Sequence, residues 1–171
     1  LEKRATQKRY LAVLEGKLTE PALIDASIGK DPISVVHSKS AVRTSGRRQE
    51  AQTRFTPLLS SNYYTLAQVE PVTGRKHQIR VHAQHLGHSI VGDKLYGPDE
   101  SLFLEFIESG WTENLAKSLP LNRHALHAYQ MSFELETGDR AFIAPFSDDL
   151  VAFCQEHFEA SVDDILEGIP S

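Results

Sequence analysis

The chain has 171 residues, 40% of them hydrophobic and 24% charged, the size and composition of one folded domain with its own core. A single cysteine excludes an internal disulfide or a zinc knuckle, and no apolar run reaches the length of a membrane-spanning helix. The net charge of −5 is unevenly spread: residues 1–80 hold 14 Lys+Arg against 7 Asp+Glu, and the remainder 4 against 16. A basic half of this kind attracts a polyanion, although solvated faces without a partner produce the same segregation.

The first residues, Leu1-Glu-Lys-Arg, are charged and do not read as a signal peptide. A start at leucine suggests that something upstream is absent. Cys154 reads as a small buried hydrophobe, which fits a reducing, cytoplasmic setting.

Strand-like stretches follow in order at Arg9–Leu14, Pro32–His37, Ala51–Pro57 and Tyr63–Glu70, with polar separators such as Ser38–Arg48. The pattern then turns helical. Lys76 to Leu86 carries Ile79, Ala83 and Leu86 at helical spacing and stops at Gly87. Ser101–Ser109 predicts a second helix with Leu102, Phe103 and Phe106 on one side. Tyr129, Met131, Phe133 and Leu135 alternate with polar residues as a half-buried strand, Thr137–Asp139 turns, and Arg140–Ala144 returns as a hairpin partner. Ser147 with Asp148 and Asp149 marks a helix start, running through Phe153 to about His157. No repeat or linker divides the chain, so residues 1–171 read as a single mixed α/β (α+β) domain on an antiparallel sheet with flanking helices.

The chemistry concentrates in Val72-Thr-Gly-Arg-Lys-His-Gln-Ile-Arg-Val-His82 and Gly87-His-Ser-Ile-Val-Gly-Asp-Lys-Leu-Tyr-Gly97. A strand ends near Val72, a glycine permits a tight turn, and Arg75, Lys76, His77 and Gln78 open a helix. Free N–H groups and a positive dipole end beside two cations make a phosphate seat. Arg80 lies among Ile79, Val81 and Ala83, and a guanidinium among apolar neighbours needs a carboxylate partner.

This run, Thr-Gly-Arg-x-His-Gln-Ile-Arg-Val-His followed by Gly-Asp-x-x-Tyr-Gly, resembles the signature of the RluA family of pseudouridine synthases. Other stretches resemble the family in the same order: Lys8-Arg-Tyr-Leu-Ala-Val-Leu-Glu-Gly16, Pro21 with Ile28 and Lys30, Gly46 with Ala51-Gln-Thr53, and Arg123-His-Ala-Leu-His-Ala128 leading into Phe133. The likeness runs from about Lys8 to Pro145. Two departures stand out. The family's His-Arg-Leu-Asp segment with the nucleophile has no counterpart here, and its His-Pro after the Leu-His-Ala strand is Leu135-Glu136.

The resemblance implies the C-terminal part of a catalytic domain, with the family's sheet incomplete on its N-terminal side. It implies isomerisation of uridine to pseudouridine in structured RNA, ribosomal or transfer, without metal or organic cofactor. The target base is expected to leave its stack. Tyr10 matches the tyrosine that stacks on uracil and accepts a proton, with a core-filling strand tyrosine as the alternative. Arg80 matches the arginine that pairs with the catalytic aspartate. Leu126 resembles an apolar wall of the uracil pocket, or is an ordinary core leucine. Arg75, Lys76, His77 and Gln78 are expected to bind RNA; Arg47 and Arg48 either contact phosphates or are solvated loop charges.

His82 and His85 stand one turn apart, as two metal ligands can, but no cysteine or acid cluster completes a site and none is expected. Three readings compete: an enzyme domain, inactive by itself without the aspartate; a non-catalytic RNA-binding module of the same ancestry; and a hydrolase, for which no constellation exists. A monomer without membrane contact is expected. Arg80 should share a cleft wall with Tyr10, with no carboxylate of this chain in bidentate contact; Arg80 on the opposite face from Tyr10, or locked to Asp93 or another acid of this chain in a closed core, would contradict the assigned roles of both.

Overall fold

The computed structural model describes residues 7–134 and 138–167. Six strands form one antiparallel sheet in the order β2-β6-β7-β1-β8-β9: β1 (Gln7–Glu15), β2 (Ala22–Asp25), β6 (Gln52–Ser60), β7 (Tyr64–Pro71), β8 (Leu126–Phe133) and β9 (Arg140–Ile143). A second sheet of three short strands, β4-β3-β5, is made by β3 (Ile28–Lys30), β4 (Ser40–Val42) and β5 (Arg48–Gln49). Helices α1 (Gln78–His85), α2 (Ser101–Ser109), α3 (Glu113–Ser118), α4 (Asp148–Phe158) and α5 (Val162–Glu167) complete the described chain. Among the described residues no helix is long and apolar enough to cross a membrane.

β1 lies at the centre of the packing, paired with β7 and β8. Its residues Leu11, Ala12, Val13 and Leu14 are all at most 1% exposed. A strand covered on both faces reads as a continuous apolar run, which is why it is plain in the sequence. Register sorts the faces. Tyr10 lies opposite Val69, which lies opposite Phe55, and two residues along β6 is Thr53, bonded to α1; that face is therefore roofed by α1 through Ile79 and Ala83. Tyr64 meets Phe153 edge-on at 5.1 Å, so α4 covers the face of Val13 and Leu66 with Leu150, Phe153 and Cys154.

Several expectations shift. Pro32–His37 is not a strand: Ile33 and Val35 are exposed, and the Asp31 carboxylate accepts from the Ile33 and Ser34 N–H groups in a local turn. Glu100 secures this loop, accepting from Ser34 Oγ at 2.7 Å and Lys39 Nζ at 2.8 Å. The polar stretch Ser38–Arg48 instead contributes β4 and the start of β5. Their sheet requires Gly29, where a Cβ would meet the Arg47 carbonyl at 2.5 Å. On β8 the buried side chain is Gln130, accepting from Arg9 Nη1 at 3.0 Å, because a bulge at Arg9/Tyr10 shifts the pairing. Leu135, Glu136 and Thr137 lie outside the described residues. α2 spans the expected residues and buries Leu102, but Phe106 is exposed. Ser147 precedes α4 as expected, yet makes no capping bond; its hydroxyl accepts from Arg123 Nη2.

Candidate active site

α1 begins at Gln78, two residues later than expected, so Arg75, Lys76 and His77 belong to the loop before it. Gly74 has no positive φ; the left-handed residue is His77, with φ 57°. That conformation is uncommon outside glycine and needs surrounding support. Support comes from two sides. The His77 Nδ1 lies 2.9 Å from the Tyr96 hydroxyl, which also accepts from the Ser40 N–H at 3.0 Å. Behind the loop, the Gln78 amide donates to Gln52 O and Thr53 Oγ1, and accepts from Thr73 Oγ1 and the Arg75 N–H.

The Gln78 network continues inward. Thr53 Oγ1 is 2.8 Å from His82 Nδ1, and His82 Nε2 donates to the Ala26 carbonyl at 2.9 Å. Burial favours the neutral imidazole, so with its Nε2–H spent on the Ala26 carbonyl, His82 Nδ1 accepts from the Thr53 hydroxyl. Burial pushes the His82 imidazole below the ordinary histidine range. His77 and His124 are lowered by the same cause, with the Arg80 charge adding to it. His82 is thus a structural brace, and among the described residues no group of three His, Cys, Asp or Glu side chains is placed to hold a metal.

Arg80 projects toward Asp93. Its Nε donates to Oδ2 at 2.6 Å and its Nη2 to Oδ1 at 2.7 Å, while the guanidinium carbon lies 4.7 Å from the Tyr96 ring centre. Asp93 Oδ1 also accepts from the Leu95 and Tyr96 N–H groups. Burial pushes the Asp93 carboxyl up, but the Arg80 bonds and charge with those two N–H groups outweigh it and hold the group below its usual range. Arg80 keeps 17% side-chain exposure and opens, with Tyr10, Ile79, Leu126, His77 and Arg75, onto a cavity of about 190 Å³. This is below the roughly 300–1,000 Å³ of drug-sized clefts and suits one small ring. Beside it, Lys30, Arg47, Arg48, Arg75 and Lys76 line a trough of about 660 Å³ with no acidic side chain in its wall; Arg75 borders both spaces.

The family model described as RNA pseudouridylate synthase matches residues 1–85. Ribosomal large subunit pseudouridine synthase D of Nitrosomonas europaea is 34% identical over 160 residues, covering 91% of this chain and 42% of the relative. Ribosomal large subunit pseudouridine synthase C of Haemophilus influenzae is 36% identical over 137 residues, 78% of this chain and 38% of the relative. The chain belongs to the RNA pseudouridylate synthase family. It spans less than half the length of these two relatives. The fold matches the solved human RNA pseudouridylate synthase domain containing 1, with a TM-score of 0.67 at 23% identity over 94% of this chain and 64% of that one.

In this chain the structure brings Tyr10, Arg80 and Leu126 to one cavity and Arg47, Arg48, Arg75 and Lys76 to one trough. Two corrections are needed. Gln78 was expected to bind RNA, but it is buried with both its donors and its acceptor engaged, so it holds the loop. Arg80 was expected to lack a bidentate carboxylate of this chain, and Asp93 is one. Asp93 takes Nε–H and one Nη2–H of five guanidinium hydrogens, so a second anion can still be met from the cavity side. Sequence reasoning missed Lys30 as a trough residue and Tyr96 as a contact of Arg80, and it weighed Asp93 only as an outcome against the assigned roles, although both Asp93 and Tyr96 stand in the Gly-Asp-x-x-Tyr-Gly motif.

Proposed function

We propose that the chain is the C-terminal, base-handling portion of a single catalytic domain that isomerises uridine to pseudouridine in structured RNA, with large-subunit ribosomal RNA the first substrate to test and transfer RNA the second. One observation carries this reading: Tyr10 and Arg80, remote in sequence, open onto the same small cavity, and Arg75 joins that cavity to a cation-lined trough.

In the reaction the N1–C1′ bond of uridine breaks, the uracil turns, and C5 bonds to the same C1′. The proton leaves C5 and N1 is protonated, so the isomerisation balances without oxidant, water or cofactor. The cavity supports a division of labour. Leu126 and Ile79 provide apolar wall for the base, and Tyr10 provides a ring to stack on it and a phenol oxygen to accept the C5 proton. Arg80 presents its cavity-side hydrogens to a reacting carboxylate, holding it ionised and aimed. The trough takes the phosphates of the strand that carries the flipped base. In this reading the protein works as a monomer in the cytoplasm.

The test is nucleoside analysis of ribosomal RNA treated with the complete protein that carries this chain. Pseudouridine is expected with the complete protein and not with residues 1–171 alone, and Tyr10→Phe and Arg80→Lys should each lower its formation by about 100-fold or more. RNA binding without any pseudouridine from the complete protein would establish the non-catalytic module instead.

A further inference from the structure

The Gly92–Gly97 loop carries a motif that the reaction does not use directly. It supplies no group to the cavity wall, yet its two side chains of note are among the most deeply buried in the chain: Asp93 is 1% exposed and Tyr96 0%. Both are spent on Arg80. Asp93 takes the Nε/Nη2 edge of the guanidinium, whose carbon lies over the face of the Tyr96 ring, 4.7 Å from its centre. A bidentate carboxylate fixes the in-plane orientation of a guanidinium, and an aromatic face fixes its tilt.

The loop is itself rigidly set. Asp93 Oδ1 is fixed by the Leu95 and Tyr96 N–H groups at 3.0 Å each, and the Tyr96 hydroxyl by Ser40 and His77. Gly92 has φ 73°, and a Cβ on it would collide with the Arg123 carbonyl; a Cβ on Gly97 would collide with the Asp93 carbonyl. The two glycines thus let the chain fold closely enough to place an acid and a ring on the same guanidinium. Among the described residues Nη1 makes no hydrogen bond to protein.

We propose that Asp93 and Tyr96 are positioning residues: they grip Arg80 by one edge and one face, so that its Nη1 edge is held toward the cavity as the docking edge for a second anion. The functional side of this rests on the reading of Arg80 given under Proposed function. Geometry and activity are therefore tested separately.

In the first arm, ¹⁵N NMR of this chain follows the Arg80 Nε–H. It should be resolved and slow to exchange in the wild type and in Tyr96→Phe, and lost to exchange in Asp93→Asn. Equal protection in Asp93→Asn and wild type overturns the proposal. In the second arm, pseudouridine formation is measured per folded molecule of the complete protein. Asp93→Asn should lower kcat about 100-fold, the scale of a misplaced reacting group, with KM changed less than about threefold. Tyr96→Leu should lose about tenfold in kcat, and Tyr96→Phe, which keeps the ring but not the hydroxyl's bonds to Ser40 and His77, a clearly smaller factor. A role confined to folding gives wild-type kcat for the folded fraction of Asp93→Asn, or the same loss in Tyr96→Phe and Tyr96→Leu; either result overturns the proposal. Where Asp93→Asn does not fold, the Tyr96 pair decides. A complete protein that forms no pseudouridine refutes the activity, while the NMR arm still decides whether Asp93 sets the guanidinium.

Discussion

Replacing Thr53 by valine removes one oxygen and little volume from a position that is 0% exposed. In the native chain that oxygen accepts from Gln78 Nε2 at 2.9 Å and pairs with His82 Nδ1 at 2.8 Å. Valine strands the His82 nitrogen in a dry interior, which costs roughly 1–3 kcal/mol. Gln78 adds less, because its amide still donates to the Gln52 carbonyl. A total of about 2–4 kcal/mol is a large share of the roughly 5–15 kcal/mol that holds a domain folded. For a chain of this size it should lower the melting temperature by about 5–15 °C. The assay is urea and thermal unfolding at neutral pH, with Thr53→Ser as the control that keeps the hydroxyl and loses one methyl, worth roughly 1 kcal/mol. A Thr53→Val protein within about 0.5 kcal/mol of wild type would refute the brace, and with it the physical account of the Ala51-Gln-Thr53 stretch.

Three further outcomes are expected. Burial lowers the folded-state pKa of His77, His82 and His124, so the unfolded chain binds more protons below the free histidine pKa of about 6.5. Their contribution to stability should be complete above that pH and be lost as pH falls toward the lower folded values; urea midpoints that stay level from about pH 7.5 to 5 would contradict the assignment. Neutralising any of Arg47, Arg48, Arg75 or Lys76 to glutamine should weaken RNA binding and reduce the slope of log affinity against log salt by about 0.7–0.9 per lost phosphate contact, and unchanged slopes would make the trough a solvated face. Gly92→Ala, which combines a left-handed φ with a clash against the Arg123 carbonyl, should destabilise by more than about 1 kcal/mol in chemical unfolding, and a neutral result would mean the loop is free to shift.

What the sequence disclosed follows from how far each signal reaches. β1 was legible because burial on both faces leaves an uninterrupted apolar run, and α2 because its helical period is local. Pro32–His37 misled because Ile33 and Val35 are surface hydrophobes, and their loop is set by Glu100, 65 residues beyond Val35. The small sheet was invisible for a related reason: its strands are two or three residues long and depend on the Arg47 backbone coming close to Gly29. At the site, Tyr10, Arg80 and Leu126 could be named from the resemblance, and four of the five trough cations, all but Lys30, from their charge. Asp93 was weighed only as an adverse outcome because the resemblance had already supplied a carboxylate for Arg80, and the need of a guanidinium for an acid does not say which acid. Gln78 was misjudged because a polar residue beside two cations reads as solvent-facing; only the fold shows its amide turned inward onto β6.

In the proposed reaction the cavity shared by Tyr10 and Arg80 moves a glycosidic bond from N1 to C5 of uridine. Release of tritium from ribosomal RNA labelled at uridine C5 measures that event directly, because the C5 hydrogen departs only when C5 has bonded to the ribose. The complete protein is expected to release tritium, and Tyr10→Phe, folded and still binding RNA, to release it about 100-fold more slowly at unchanged KM. A wild-type protein that releases none, or a Tyr10→Phe protein that releases it at the wild-type rate, would contradict the claim.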